Sequence, residues 1–290
     1  MKFATHVLFY NVDQFILKNI DNSGPHVDRI YVAYSKKPWG YNRKARKKFS
    51  NLSNLDLLKK SKYYNKIKII EGDWLYDEDQ RNACLDQARS DGIDFLITHD
   101  ADEFYFHKDF KQMISEVKKN PHYDYYVTPW VSFWKTFGYI VITQNGNNIT
   151  GYPEVVINLN KPQKFIRARI PSGDNKYELS ALCHHASFVL SDEECWDKIN
   201  TWSHTHQFKV KKWYNNKWLN WDINSIDLHP VNPKAWARAI EYSQELPEVL
   251  SAHLDENIAS PPETKKRRSI WKKIVDRAAI YKLFIIYSMI

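Results

Sequence analysis

The chain has 290 residues, 43% of them hydrophobic and 26% charged, which excludes a disordered polymer and allows one sizeable core. The net charge is +8, but eight basic residues and one acid stand between Lys265 and Ile290. The last 26 residues therefore carry +7 and the other 264 only +1, so the basic balance gives no reason to expect nucleic acid as a partner of the main domain. The three cysteines, Cys84, Cys183 and Cys195, are too few and too scattered for a secreted disulfide framework. The N-terminus runs into a strand pattern without the apolar region of a signal peptide, and the expectation is a cytoplasmic protein.

In chain order, Phe3 to Phe9 reads as a strand, Asp13 to Ile20 as a short helix and Val27 to Tyr34 as a second strand. Lys36 to Lys62 is basic, with leucines suggesting helical pieces. Lys66 to Glu71 is a third strand. Asp77 to Ser90 is a helix with acids in its first turn, and Asp94 to Thr98 is a fourth strand, its continuous apolar run suited to burial on both faces. This alternation predicts an α/β fold with a mostly parallel sheet flanked by helices. The second half holds an aromatic stretch from Tyr125 to Phe137, strands at Val155 to Leu159 and Lys164 to Ile170, and a helix at Asp192 to Thr201. That helix opens on the capping box Ser191/Glu194. A last helix is expected over Pro233 to Leu246. The domain organisation expected is one α/β domain over 1–260, with a regularly alternating half (1–105) and a less regular half (106–260), then a basic tail over 261–290. In the tail Trp271, Ile274, Val275, Ala278, Tyr281 and Ile285 share one helical face, a pattern suited to an anionic membrane surface; a docked helix or an oligomer contact is the plainer alternative.

The chemistry concentrates at His99-Asp100-Ala101-Asp102-Glu103-Phe104, just past the carboxyl end of the fourth strand, where open α/β sheets bind ligands. Asp100 and Asp102 so close together raise each other's pKa unless a cation intervenes. A divalent ion that also holds phosphate oxygens is one resolution, and a merely exposed acidic turn is the other. Mn2+ or Mg2+ is the expected cofactor. Gly72-Asp73-Trp74, Gln80-Arg81-Asn82 and the acidic turn, in this order, resemble family 2-type glycosyltransferases of the GT-A fold. The resemblance is strong over Lys66 to Tyr105 and looser to about Leu254.

The resemblance implies sugar transfer from a UDP- or GDP-linked donor to a hydroxyl of a glycan or lipid-linked acceptor, with inversion. It implies Asp102 as metal ligand and Asp100 on the ribose or a metal-bound water, hence also in the metal set. Arg81 and Asn82, in what would be a nucleotide-binding half (1–105) ahead of an acceptor-side half (106–260), would organise the loop near the nucleotide or support the acidic turn, and Asp73 would contact the base. Where many family members carry Asp-Gly-Ser, this chain has Tyr34-Ser35-Lys36-Lys37, so the family's usual base-recognition motif is missing here. His185, in Cys183-His184-His185-Ala186-Ser187-Phe188-Val189, is similar to a late metal ligand of such enzymes; hydrogen bonding within a strand end is the alternative. Candidates for the catalytic base are Glu154, Asp192 and Glu103. Trp130 and Trp134 would either stack a sugar or fill the core. Two rivals stay open: an Mg2+-dependent phosphohydrolase using Asp-x-Asp, and a non-catalytic carbohydrate-binding module.

Overall fold

A computed structural model describes residues 1–251, all within one compact unit, Met1–Ile258. The basic tail and its expected amphipathic helix lie outside the described residues. The first half runs β1 (Phe3–Phe9), α1 (Asp13–Ser23), β2 (Arg29–Tyr34), α2 (Arg43–Lys48), β3 (Ile67–Glu71), α3 (Asp77–Ser90) and β4 (Phe95–Thr98). Then come β5 (Glu103–Phe104), α4 (His107–Lys119), β6 (Tyr125–Val127), β7 (Trp130–Trp134), β8 (Thr136–Ile142), β9 (Ile149–Gly151) and β10 (Glu154–Asn158). The chain continues through β11 (Phe165–Arg167), β12 (Ile170–Pro171), β13 (Lys176–Glu178), β14 (Cys183–Phe188), α5 (Asp192–Thr201), α6 (Val210–Trp213), β15 (Arg238–Glu241) and α7 (Glu248–Ser251).

The seven-stranded sheet has the order β13-β6-β10-β4-β1-β2-β3. β4, β1, β2 and β3 are parallel neighbours, and β10 runs antiparallel between β4 and β6. The fold is thus mixed α/β with a mostly parallel sheet flanked by helices. β4 sits beside β1 in the middle with all four residues buried, the reason its sequence is apolar without alternation. α1 buries Phe15, Ile16 and Ile20 on the main core. Each such burial stabilises by about 1.5–3 kcal/mol relative to exposure.

The second sheet, β15-β8-β7-β14-β5, gives the turn after β4 its position. Short β5 pairs with β14, setting Glu103 opposite His185 and Phe104 opposite His184. A sequence separation of some eighty residues is closed by two ladder pairs. Behind this sheet the aromatic excess finds its place. Trp134 is fully buried and packs edge-on against Trp213 and Trp218, with Phe188 and Trp236 in the same cluster.

Pro233 to Leu246 is not a helix. Pro233–Ala235 forms one 3-10 turn and Arg238–Glu241 is strand β15 on β8. Apolar spacing in Trp236-Ala237-Arg238-Ala239-Ile240 fits either period over so short a run, and pairing with an open sheet edge decides it. The three cysteines are free and buried. Among the described residues no helix is long and apolar enough to cross a membrane.

Candidate active site

The acidic turn is clamped from below by α1. Asn19 is buried and its side-chain amide donates to the carbonyls of His99 (3.3 Å), Asp100 (2.8 Å) and Glu103 (3.4 Å). One turn on, Asn22 donates to the carbonyl of Tyr105 (2.6 Å) and accepts from its amide (2.9 Å). Backbone groups of the turn are therefore paired by two buried amides, which holds the turn rigid.

α3 organises the adjacent wall with three consecutive polar residues. Gln80 accepts from the Trp39 indole (2.8 Å) and donates to the Ala33 carbonyl (3.2 Å). Arg81 is buried and makes two 2.9 Å bonds to the two carboxylate oxygens of Asp100. Asn82 pairs with both backbone groups of Phe165 at 2.8 and 2.9 Å, fixing the hairpin β11–β12. That hairpin turns at Ala168, which has a left-handed φ of 49°, and presents Arg169. The Arg169 guanidinium bonds Glu103, lies 3.5 Å from Asp100 and sits 5.2 Å over the Trp130 ring.

The two aspartates thus have different surroundings. Burial would raise the Asp100 carboxyl, but Arg81 and Arg169 outweigh it and hold it far below the usual range. Asp102 is half-buried, which would raise its carboxyl, but Lys198 and His185 together outweigh this and bring it below the ordinary value. Lys198 donates to Asp102 Oδ2 (2.9 Å), the Ser187 carbonyl (2.7 Å) and Ser187 Oγ (2.8 Å), which uses all three ammonium protons. The other oxygen, Oδ1, stands 3.7 Å from His185 Nε2. Burial pushes His185 down to about 4, so the imidazole is neutral at pH 7. Its ring stacks on Trp130 at 4.1 Å.

These groups line one cleft of about 990 Å³ that also includes Tyr10, Asp13, Asp197, Trp202, His229 and Trp236. Arg81, Asp100, Asp102 and His185 are brought together on its wall. Glu103 is fully buried behind the wall, paired with Arg169, and burial raises it to about 7 despite that partner. Glu154 and Asp192, like Glu103, do not line the cleft. The Glu154 carbonyl accepts from Arg169, and Asp192 Oδ1 accepts from Trp218 Nε1 (2.8 Å). Asp73 faces a separate hollow of about 350 Å³ beside Lys36 and Lys37 and pairs with Arg46. Asn82 points to the hairpin rather than the cleft. Among the described residues no group of three or more His, Cys, Asp or Glu forms a ready-made metal site.

Asn19, Arg169 and Lys198 are the contacts that motif reading misses. Asn19 on the apolar face of a helix is the one sequence signal that could have been followed, because a buried amide needs partners.

Residues 53–178 match the family model described as Glycosyl transferase family 2. The matched segment contains α3, the acidic turn and β10, so the likeness to that family is borne out over residues 53–178. None of the curated proteins matches the chain. Solved structures similar to it include a 4-diphosphocytidyl-2C-methyl-D-erythritol synthase from Anaerococcus prevotii DSM 20548. That likeness has 10% identity and a TM-score of 0.36, over 68% of this chain and 94% of the other. A protein of Desulfovibrio desulfuricans G20 assigned as a nucleotide-diphospho-sugar transferase has 11% identity and a TM-score of 0.37, over 68% and 85%. A197 from STIV has 15% identity and a TM-score of 0.32, over 64% and 85%. Likeness of this degree says nothing of substrate.

Proposed function

We propose that the cleft binds a nucleoside diphosphate sugar and transfers the sugar, with inversion, to a hydroxyl of a glycan or lipid-linked acceptor. The observation that carries this reading is the pair Asp102 Oδ1 and His185 Nε2, 3.7 Å apart on the cleft wall, with Arg169 and Lys198 beside them. A carboxylate oxygen and a neutral imidazole suit Mn2+ or Mg2+, and as only two protein ligands they fit an ion that takes its remaining ligands from phosphate and water. Such an ion, when bound, neutralises charge on the departing diphosphate. Asp100 does not share this task, because both its oxygens face Arg81.

The chain's own residues supply the rest. Lys198 ties down one oxygen of Asp102 and leaves the other directed at His185. Arg169 places a guanidinium at the cleft wall, where positive potential favours diphosphate. Tyr10 Oη, Gln14 Nε2, Trp130 Nε1 and Arg169 Nη2 are buried polar atoms without partners on cleft-lining residues. Such groups are uncommon in finished structures, and a polar ligand is the natural complement. For the base we propose Asp197, which lines the cleft and whose carboxyl is raised by burial and by Glu193, a direction that favours proton abstraction near neutral pH. A phosphohydrolase would need Asp100 as nucleophile, a role its bidentate pairing opposes.

The test is transfer measured with UDP- and GDP-sugars with and without Mn2+. Asp197→Asn should lower turnover while nucleotide affinity stays unchanged. Full turnover in Asp197→Asn would remove the base assignment, and full activity in chelator would remove the metal.

A further inference from the structure

Cations also cluster locally far from the end of the chain, although the net charge outside the tail is only +1. From Lys36 to Ser53 there are seven cations and no acid. Arg46 turns inward to Asp73 and to the carbonyls of Pro38 and Trp74. Lys36, Lys37, Arg43, Lys44, Lys47 and Lys48 are all exposed. No carboxylate of the described residues lies within ion-pair distance of these six.

Large apolar side chains stand in water beside them. Leu52 is 82% exposed, Leu75 51% and Tyr76 47%. Backbone bonds tie these residues to the cationic segment: Asn51 donates to the Lys36 carbonyl (2.9 Å) and Gly40 to the Leu75 carbonyl (2.7 Å). The Tyr76 ring packs edge-on against Tyr41 at 5.5 Å. Lys37, Trp39 and Leu52 also line the cleft, so the combined face forms part of its rim.

We propose that this face docks on an anionic lipid bilayer and seats the rim of the cleft against the headgroups. A soluble polyanion would be satisfied by the cations alone and has no use for exposed leucines. A bilayer surface takes both, since the cations meet anionic headgroups while the apolar side chains enter the acyl boundary. The attachment is peripheral, through side chains of the catalytic domain.

The experiment is co-sedimentation of the full chain with vesicles of phosphatidylcholine alone or mixed with phosphatidylglycerol, read as a partition coefficient. Arg43, Lys44, Lys47 and Lys48 are changed together to Gln in one variant, and Leu52 and Leu75 together to Asn in a second. The cations from Lys265 onward are present in every variant, so the difference between variants reads this face alone. The wild type should partition onto the mixed vesicles only. The Gln variant should fall at least about a hundred-fold. The Asn variant should fall about ten-fold at unchanged charge. All six positions are surface residues, and an unchanged thermal midpoint certifies the fold. Unchanged partitioning of either variant overturns the proposal, as does a wild type that ignores the mixed vesicles or is held by heparin but not by lipid. Sedimentation needs no turnover, so its failure leaves the transferase reading intact, and loss of the transferase reading leaves this one standing.

Discussion

Asp100 and Asp102 are two residues apart and chemically alike, yet the fold uses them differently. Asp100 faces α3 and is closed on both oxygens by the rigid fork of Arg81, with Arg169 as a third contact. Asp102 faces the second sheet, gives one oxygen to Lys198 and keeps the other toward His185. The lesson concerns the cost of paired carboxylates. Protein cations already offset their mutual repulsion, so a metal is not required to make the turn stable. Its place would be decided by the one oxygen left directed at a neutral imidazole.

Substitutions can break this contrast. The largest effect is expected for Asp102→Asn, which should lower sugar transfer at least about a thousand-fold while the thermal midpoint stays close to wild type. An equal loss of stability would mean that Asp102 is structural like its neighbour. Arg169→Ala comes next. It leaves Glu103 buried without its partner and should cost about 3 kcal/mol in urea unfolding. Adding Glu103→Gln should recover part of that cost, and a strictly additive double variant would deny the coupling. Lys198→Met should leave Asp102 loosely held, raising the Mn2+ concentration for half-activity about 10- to 100-fold with a smaller change in turnover at saturating metal.

The smallest effect is on pH. His26 and His229 are pushed by burial down to about 4, below the ordinary 6.5. Between these values the unfolded chain binds more protons than the folded one. Stability should therefore fall as pH drops from about 6.5 toward 4. Denaturation midpoints that rise as the pH is lowered from about 6.5 toward 4 would contradict the partial burial of these rings.

How much of this could be read from residues alone depends on how local each signal is. α3 spans Asp77–Ser90, as its acids and periodicity indicate, and the capping box of Ser191 and Glu194 is formed. β4 is legible because burial on both faces removes alternation. Arg169 and Lys198 are not, because they reach Glu103 and Asp102 across 66 and 96 residues and arrive by a hairpin and a helix whose packing no local pattern encodes. The same limit explains the base candidates. Glu103 adjoins Asp102 in sequence, but strand alternation sends it behind the wall, while Asp192 precedes Asp197 on α5 by a little over one turn and points elsewhere.

The most direct test is calorimetric titration of UDP and GDP into the wild type and Asp102→Asn, each with Mn2+ and with chelator. One nucleotide should bind wild type measurably tighter with Mn2+, and Asp102→Asn should lose that gain while keeping its metal-free affinity. Binding of equal strength in all four combinations would contradict a metal–diphosphate site at Asp102 and His185.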